Sequence, residues 1–124
     1  MYALHFYAGT HRQQLRNRAA AALAGGIPVF VSEWGVSKAD ATGDIYYEET
    51  SRWLEFMDNY GLSWCSWSVA DKAETTSVLQ PGSDPEGGWS AADLTEAGIY
   101  VRNLIRERNE TLFREIQPRK EKEK

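Results

Sequence analysis

Cysteine is almost missing from this 124-residue chain: Cys65 stands alone, so no disulfide can close within it and the thiol content says nothing about redox compartment. Long apolar runs are missing too. None approaches the roughly 20 residues that cross a bilayer, and residues 1–7 lack the basic, apolar and small-residue regions of a signal peptide. Positive charge is in deficit, with 14 Lys and Arg against 18 Asp and Glu and a net charge of -4. Such a field repels nucleic acid and anionic lipid except at a local patch, so neither nucleic acid nor membrane is an expected partner. Histidine is scarce: His5 and His11 lie six apart with no neighbouring Asp or Cys, which is not a metal-ligand spacing. No metal site is expected.

Aromatic residues are plentiful, with five Trp and six Tyr. Flat amphipathic rings suit core packing or stacking on sugar faces; core packing is the simpler reading for Trp34, Trp53 and Trp64. A hydrophobic fraction of 42% supports one modest core and not two independent domains.

Punctuation and periodicity divide the chain into alternating strands and helices. Residues 2–7 read as an aromatic and apolar strand, and residues 13–23 as an alanine-rich helix stopped by Gly25 and Gly26. A second strand is expected over 28–34, where Val29, Phe30 and Val31 form the continuous apolar run of a strand covered on both faces. A helix over 45–60 places Trp53 and Met57 on a buried stripe, with Gly61 at its end. A third strand is expected over 62–69, followed by a loop over 70–88 and a last helix from an N-cap at Thr95 to about residue 108. Residues 118–124 alternate Lys and Glu after Pro118 and have nothing to bury, which predicts a disordered tail beyond a single unit spanning 1–117.

The order strand, helix, strand, helix, strand, helix predicts parallel strands joined by helical crossovers. Three such units are too few for a complete (β/α)8 barrel of about 250 residues, so the expected fold is the C-terminal portion of a TIM barrel. A self-contained three-layer α/β domain is the alternative, and it would leave two sheet edges unpaired.

In parallel α/β folds the reactive groups gather at the carboxyl ends of strands. That rule selects His5 and Tyr7, two apart and on one face of the first strand; Glu33 at the end of the second; and Trp67, with Lys72 and Glu74, after the third. On spacing alone each has a plain alternative. Glu33 is compatible with a strand-end carboxylate paired with a nearby cation, His5 with a hydrogen-bonded structural histidine, Tyr7 and Trp67 with packed rings, and Lys72 and Glu74 with a charged loop. His11 reads most simply as an exposed loop residue.

The segments LHFYAGTH (4–11), VFVSEWG (29–35), LSWCSWSVADKAE (62–74) and PGSDPEGGW (81–89) resemble the last three strand segments of glycoside hydrolase family 5, nearest to its bacterial endo-β-1,4-glucanases. The resemblance implies a secreted retaining enzyme that hydrolyses β-glucan without a cofactor. It implies that Glu33 is the nucleophile, that Tyr7 and His5 belong to the catalytic centre, and that Trp67 is a stacking floor for sugar. It further implies that Lys72, Glu74 and the backbone at Ala39 bind substrate. Retaining hydrolysis needs two carboxyl groups about 5–5.5 Å apart, and the family's acid/base Glu, preceded by Asn on an earlier strand, has no counterpart here. Asn109-Glu110 follows the last helix and is wrongly placed. The isolated chain is therefore expected to have little or no activity without the N-terminal part of the barrel. A non-catalytic carbohydrate-binding remnant, or a half-barrel that needs a complementary fragment, is the competing expectation. Preference among β-glucan, mannan and xyloglucan stays open.

Overall fold

The computed structural model describes residues 1–116, and side chains as far as residue 110; the expected tail at 118–124 lies outside the described residues. The first strand, β1 (Tyr2–Tyr7), leads into helix α1 (Gln13–Ala24), then β2 (Val29–Gly35), α2 (Tyr47–Asn59), β3 (Trp64–Ser66) and α3 (Glu96–Ile116). All strand pairs are parallel and the sheet order is β1-β2-β3. Each crossover advances by one strand without a reversal. That is how a barrel is built, whereas a doubly wound sheet turns back at a switch point.

Local chemistry accounts for the helix limits. Alanine dominates α1, which Gly25 ends; acidic Glu48 and Glu49 sit in the first turn of α2, where the helix dipole favours negative charge. Gly61, with φ of 62°, follows α2 in the left-handed conformation that ends many helices. At α3, the Thr95 hydroxyl accepts from the Gly98 N–H and donates to the Ser77 carbonyl, as an N-cap should. The helix runs past its expected end at residue 108 to Ile116.

One expectation needs correction. The third strand is only Trp64–Ser66, not 62–69: the Leu62 N–H is taken by the Met57 carbonyl at the end of α2, and beyond Trp67 the chain bonds to its own following loop through Ser68 and Ala70. The loop over 70–88 is tied down by hydrogen bonds to its neighbours. Val78 and Leu79 donate to the Ser68 and Ala70 carbonyls, Leu79 bridges Leu94, and a 3-10 turn at Ala91–Asp93 carries a reciprocal Ser90–Asp93 cap.

Phe6, Val31, Trp34, Trp53, Leu54 and Met57 are fully or almost fully buried and form the core between the sheet and the helices. Phe6 stacks on Trp53 at 3.9 Å and on Trp34 at 5.7 Å, while Trp64, only half-buried, meets Trp34 edge-on. Arg16 on α1 is buried against Glu49 on α2 at 2.5 Å, with its guanidinium over the Trp53 ring. Removing Arg16 leaves buried Glu49 with only the longer contact to half-exposed Arg52, 3.7 Å from its Oε2, so Arg16→Met is expected to destabilise the chain by about 3 kcal/mol, read as a lower urea midpoint. A change within a few tenths of a kcal/mol would show the pair to be dispensable.

One irregularity positions the functional site. Ala3 pairs with Phe30 and His5 with Glu33, so β2 carries one more residue than β1 over that interval; the pairing of β2 with β3 shows the same excess between Val31 and Trp34. This is a β-bulge. Side chains along a regular strand alternate between faces, which would put Val31 and Glu33 together. With the bulge, Val31 and Trp34 both enter the helix-side core, and Glu33 joins His5 and Tyr7 on the opposite face.

Candidate active site

Glu33 lies at the carboxyl end of β2 with its side chain mostly shielded. The Tyr7 hydroxyl, from the end of β1, donates to Glu33 Oε1 at 2.6 Å. His5, the register partner of Glu33, approaches from beside it: Nδ1 is 3.5 Å from Glu33 Oε2, and Nε2 is 2.9 Å from the Ser32 hydroxyl. Contact of one ring with two consecutive β2 residues is possible because the bulge breaks their alternation. Ser32 was not singled out from sequence, since a serine beside a strand-end carboxylate carries no distinctive signal.

The approach of Tyr7 to Glu33 depends on Gly35, its register partner on β2. A Cβ at position 35 would lie 2.5 Å from two carbons of the Tyr7 ring and 2.9 Å from Thr76 Cγ2. The ring lies across a position that has to be bare.

Burial, then the hydrogen bond to Glu33 and its charge, with a smaller contribution from Glu74, raise the Tyr7 phenol above its ordinary range. The group is therefore a proton donor wherever the site is folded. Because the folded value exceeds the unfolded one, Tyr7 contributes stability that is present below about pH 10, the ordinary tyrosine value, and lost as pH rises above it. Tyr47 and Tyr100 are also held above the ordinary range, by a hydrogen bond to Glu96 and by burial respectively, so in alkaline titration followed by phenolate absorbance one of the late-ionising tyrosines should shift downward in Glu33→Gln. Since burial is the largest cause, that shift should be partial; no shift would mean that the carboxylate does not act on the phenol.

The remaining candidates are placed unequally. Trp67 directly follows β3, its N–H bonded to the Trp34 carbonyl and its ring substantially exposed at 43%. The peptide from Trp67 to Ser68 is cis. Glu74 lies near enough to Tyr7 to act on its charge, accepts from Thr76 at 3.4 Å, and lines a hollow of about 370 Å³ with Gly43, Asp44, Tyr47, Thr95 and Glu96. Lys72 is exposed on the same loop. Ala39 is exposed, and its N–H is committed to the Thr10 hydroxyl at 3.0 Å, so what it can offer a ligand is its carbonyl or methyl. His11 corrects the sequence reading: it is half-buried, and its Nδ1 accepts from the Tyr7 N–H at 2.9 Å. Among the described residues no group of three or more His, Cys, Asp or Glu is arranged to hold a metal ion.

Parallel strands in consecutive order, with a tyrosine-bonded carboxylate at their carboxyl ends, define part of a (β/α) barrel. The family profile Cellulase (glycosyl hydrolase family 5) matches residues 1–73, and the chain belongs to that family. It is 51% identical over 107 residues to Endoglucanase A of Evansella cellulosilytica, a match covering 86% of this chain and 22% of that protein. A solved structure from Cytophaga hutchinsonii superposes with a TM-score of 0.90 at 47% identity, covering 94% of this chain and 38% of that one. The catalytic domain of Thermobifida fusca endoglucanase Cel5A, solved in complex with cellotetraose, gives a TM-score of 0.78 at 30% identity over 85% of this chain and 34% of that one. The chain spans about a fifth of the length of curated relatives such as the Evansella protein.

Proposed function

We propose that this chain supplies the last three β/α units of a retaining endo-β-1,4-glucanase barrel, with Glu33 as the nucleophile. The observation that carries the reading is the 2.6 Å hydrogen bond from Tyr7 to Glu33 across two adjacent strand ends. A nucleophilic carboxylate must be ionised, held in one rotamer and open on its remaining lone pairs. The Tyr7 donor holds the carboxylate in one orientation, leaving Oε2 towards His5.

In the first step a Glu33 oxygen bonds to the anomeric carbon as the bond to the departing glucan oxygen breaks, and a second carboxylic acid protonates that oxygen. In the second step the same group, now a base, takes a proton from water, which attacks the anomeric carbon and releases Glu33. That second carboxyl belongs to earlier strands of the barrel. Support for those strands comes from both edges of the sheet. An apolar groove of about 640 Å³ runs along β3 and α3, lined by Trp64, Val69, Val78, Leu94, Val101 and Ile105, and a smaller one of about 260 Å³ lies beside β1 and α1. In this reading His5, 3.5 Å from Glu33, adjoins the nucleophile, Trp67 serves as a platform for a sugar ring, and Lys72, Glu74 and the Ala39 carbonyl serve as partners for sugar hydroxyls. A polymeric glucan cannot enter a cell, so the parent protein acts outside it.

The complete catalytic domain should cleave carboxymethylcellulose and cellotetraose, and proton NMR should show the newly formed reducing end appearing first as the β-anomer. Initial release of the α-anomer would replace the double displacement by direct attack of water. Residues 1–124 alone should show no turnover above background.

A further inference from the structure

The ring of His11 is absent from the chemistry described so far, yet its contacts converge on Tyr7. Ala8 donates its N–H to the Gly35 carbonyl on β2. In a parallel ladder successive residues point their polar groups to opposite sides, so the N–H and carbonyl of Tyr7 face away from β2, towards the other edge of β1. Both are satisfied there from within the chain. Thr10 and His11 donate their N–H groups to the Tyr7 carbonyl at 2.9 and 2.8 Å, and His11 Nδ1 accepts from the Tyr7 N–H at 2.9 Å. The His11 carbonyl in turn accepts at 2.7 Å from the indole N–H of Trp53, which is fully buried in the core.

We propose that His11 is a positioning residue for the nucleophile: its imidazole takes the Tyr7 N–H at the end of β1, fixes the Tyr7 backbone against the core, and so holds the Tyr7 hydroxyl on Glu33. The geometry requires an unprotonated Nδ1, hence the tautomer with its proton on Nε2, because a proton on Nδ1 would set donor against donor. The distances explain why a side chain is needed. Tyr7 must reach across bare Gly35 to a carboxylate on the next strand, and a strand end frayed at its last residue would let the ring swing away.

The kinetic part of the test rests on the proposed role of Glu33; the amide part does not. In the complete catalytic domain, His11→Leu keeps the backbone carbonyl for Trp53 and removes only the ring acceptor. It should lower kcat about tenfold with KM within about twofold, as expected for a misplaced reacting group. His11→Asn, whose Oδ1 can take the place of Nδ1, should recover most of that loss. In a Tyr7→Phe background, His11→Leu should have no further effect, since two residues acting through one contact are not additive. Without substrate, amide exchange at Tyr7 should be slow in wild type and His11→Asn and at least about tenfold faster in His11→Leu.

Additive losses, an Asn variant as impaired as the Leu variant, or an unchanged Tyr7 amide in His11→Leu would overturn the proposal. If His11→Leu does not fold, the wild-type imidazole nitrogen-15 shifts decide it: a protonated Nδ1 at neutral pH refutes it, and an acceptor Nδ1 together with rescue in His11→Asn supports it. If the wild-type domain cleaves no β-glucan, the proposed function fails, and exchange at Tyr7 alone judges His11.

Discussion

Glu33→Gln in the complete catalytic domain is expected to lower kcat on a soluble β-1,4-glucan by about 10⁴-fold or more, the scale on which losing a covalent nucleophile acts. Glutamine fills the same volume and its amide oxygen can still accept from Tyr7, so the surrounding packing survives. What it lacks is the charge and the lone pair that bonds to the anomeric carbon. Affinity for cellotetraose should change by no more than a few-fold if, as proposed, the ground-state contacts lie on Trp67, Lys72 and Glu74. Calorimetric titration beside a reducing-sugar assay separates the two quantities. Turnover within about tenfold of wild type would remove Glu33 from the covalent step.

Gly35→Ala should have the next largest effect, although position 35 bears no functional group. The added methyl would sit 2.5 Å from two Tyr7 ring carbons and 2.9 Å from Thr76 Cγ2, closer than non-bonded carbons can approach. Thr76 is almost fully buried, so the Tyr7 ring has to move and its hydroxyl leaves Glu33. A displacement of about 1 Å near reacting atoms can cost about 10²-fold in rate, and overpacking adds roughly 1–3 kcal/mol of instability. Tyr7→Phe, which removes one hydrogen bond to a charged acceptor worth about 1.5–3 kcal/mol, should fall by less. The comparison is made on kcat at a temperature where all three proteins are folded. Wild-type kcat in Gly35→Ala would mean that the ring has room the geometry denies it.

How far these features were legible beforehand differs from element to element. β1 and α1 were readable because aromatic and alanine-rich segments with Gly punctuation state their own conformation, and Thr95 was readable as a cap because its hydroxyl has a local partner three residues on. The end of β3 was not, since apolar residues continue to Val69 while hydrogen bonding to β2 ends with Trp67 donating to Trp34. His11 was misread for a related reason. Nothing in AGTH announces that its ring turns back to a strand amide four residues earlier, since that depends on how Thr10 and His11 fold over the Tyr7 carbonyl.

The sequence by itself determined the alternation of strands and helices, the direction of the strands, and which residues stand at their carboxyl ends: His5, Tyr7, Glu33 and Trp67. These follow from short-range preferences and from the single way in which β/α units connect. Only the tertiary structure decided which way Glu33 faces. Along an unbroken strand it would share a side with buried Val31; the additional residue that β2 accommodates against both neighbours turns it towards Tyr7. A bulge is fixed by pairing between strands more than 20 residues apart in the chain, and no local pattern in VFVSEWG records it.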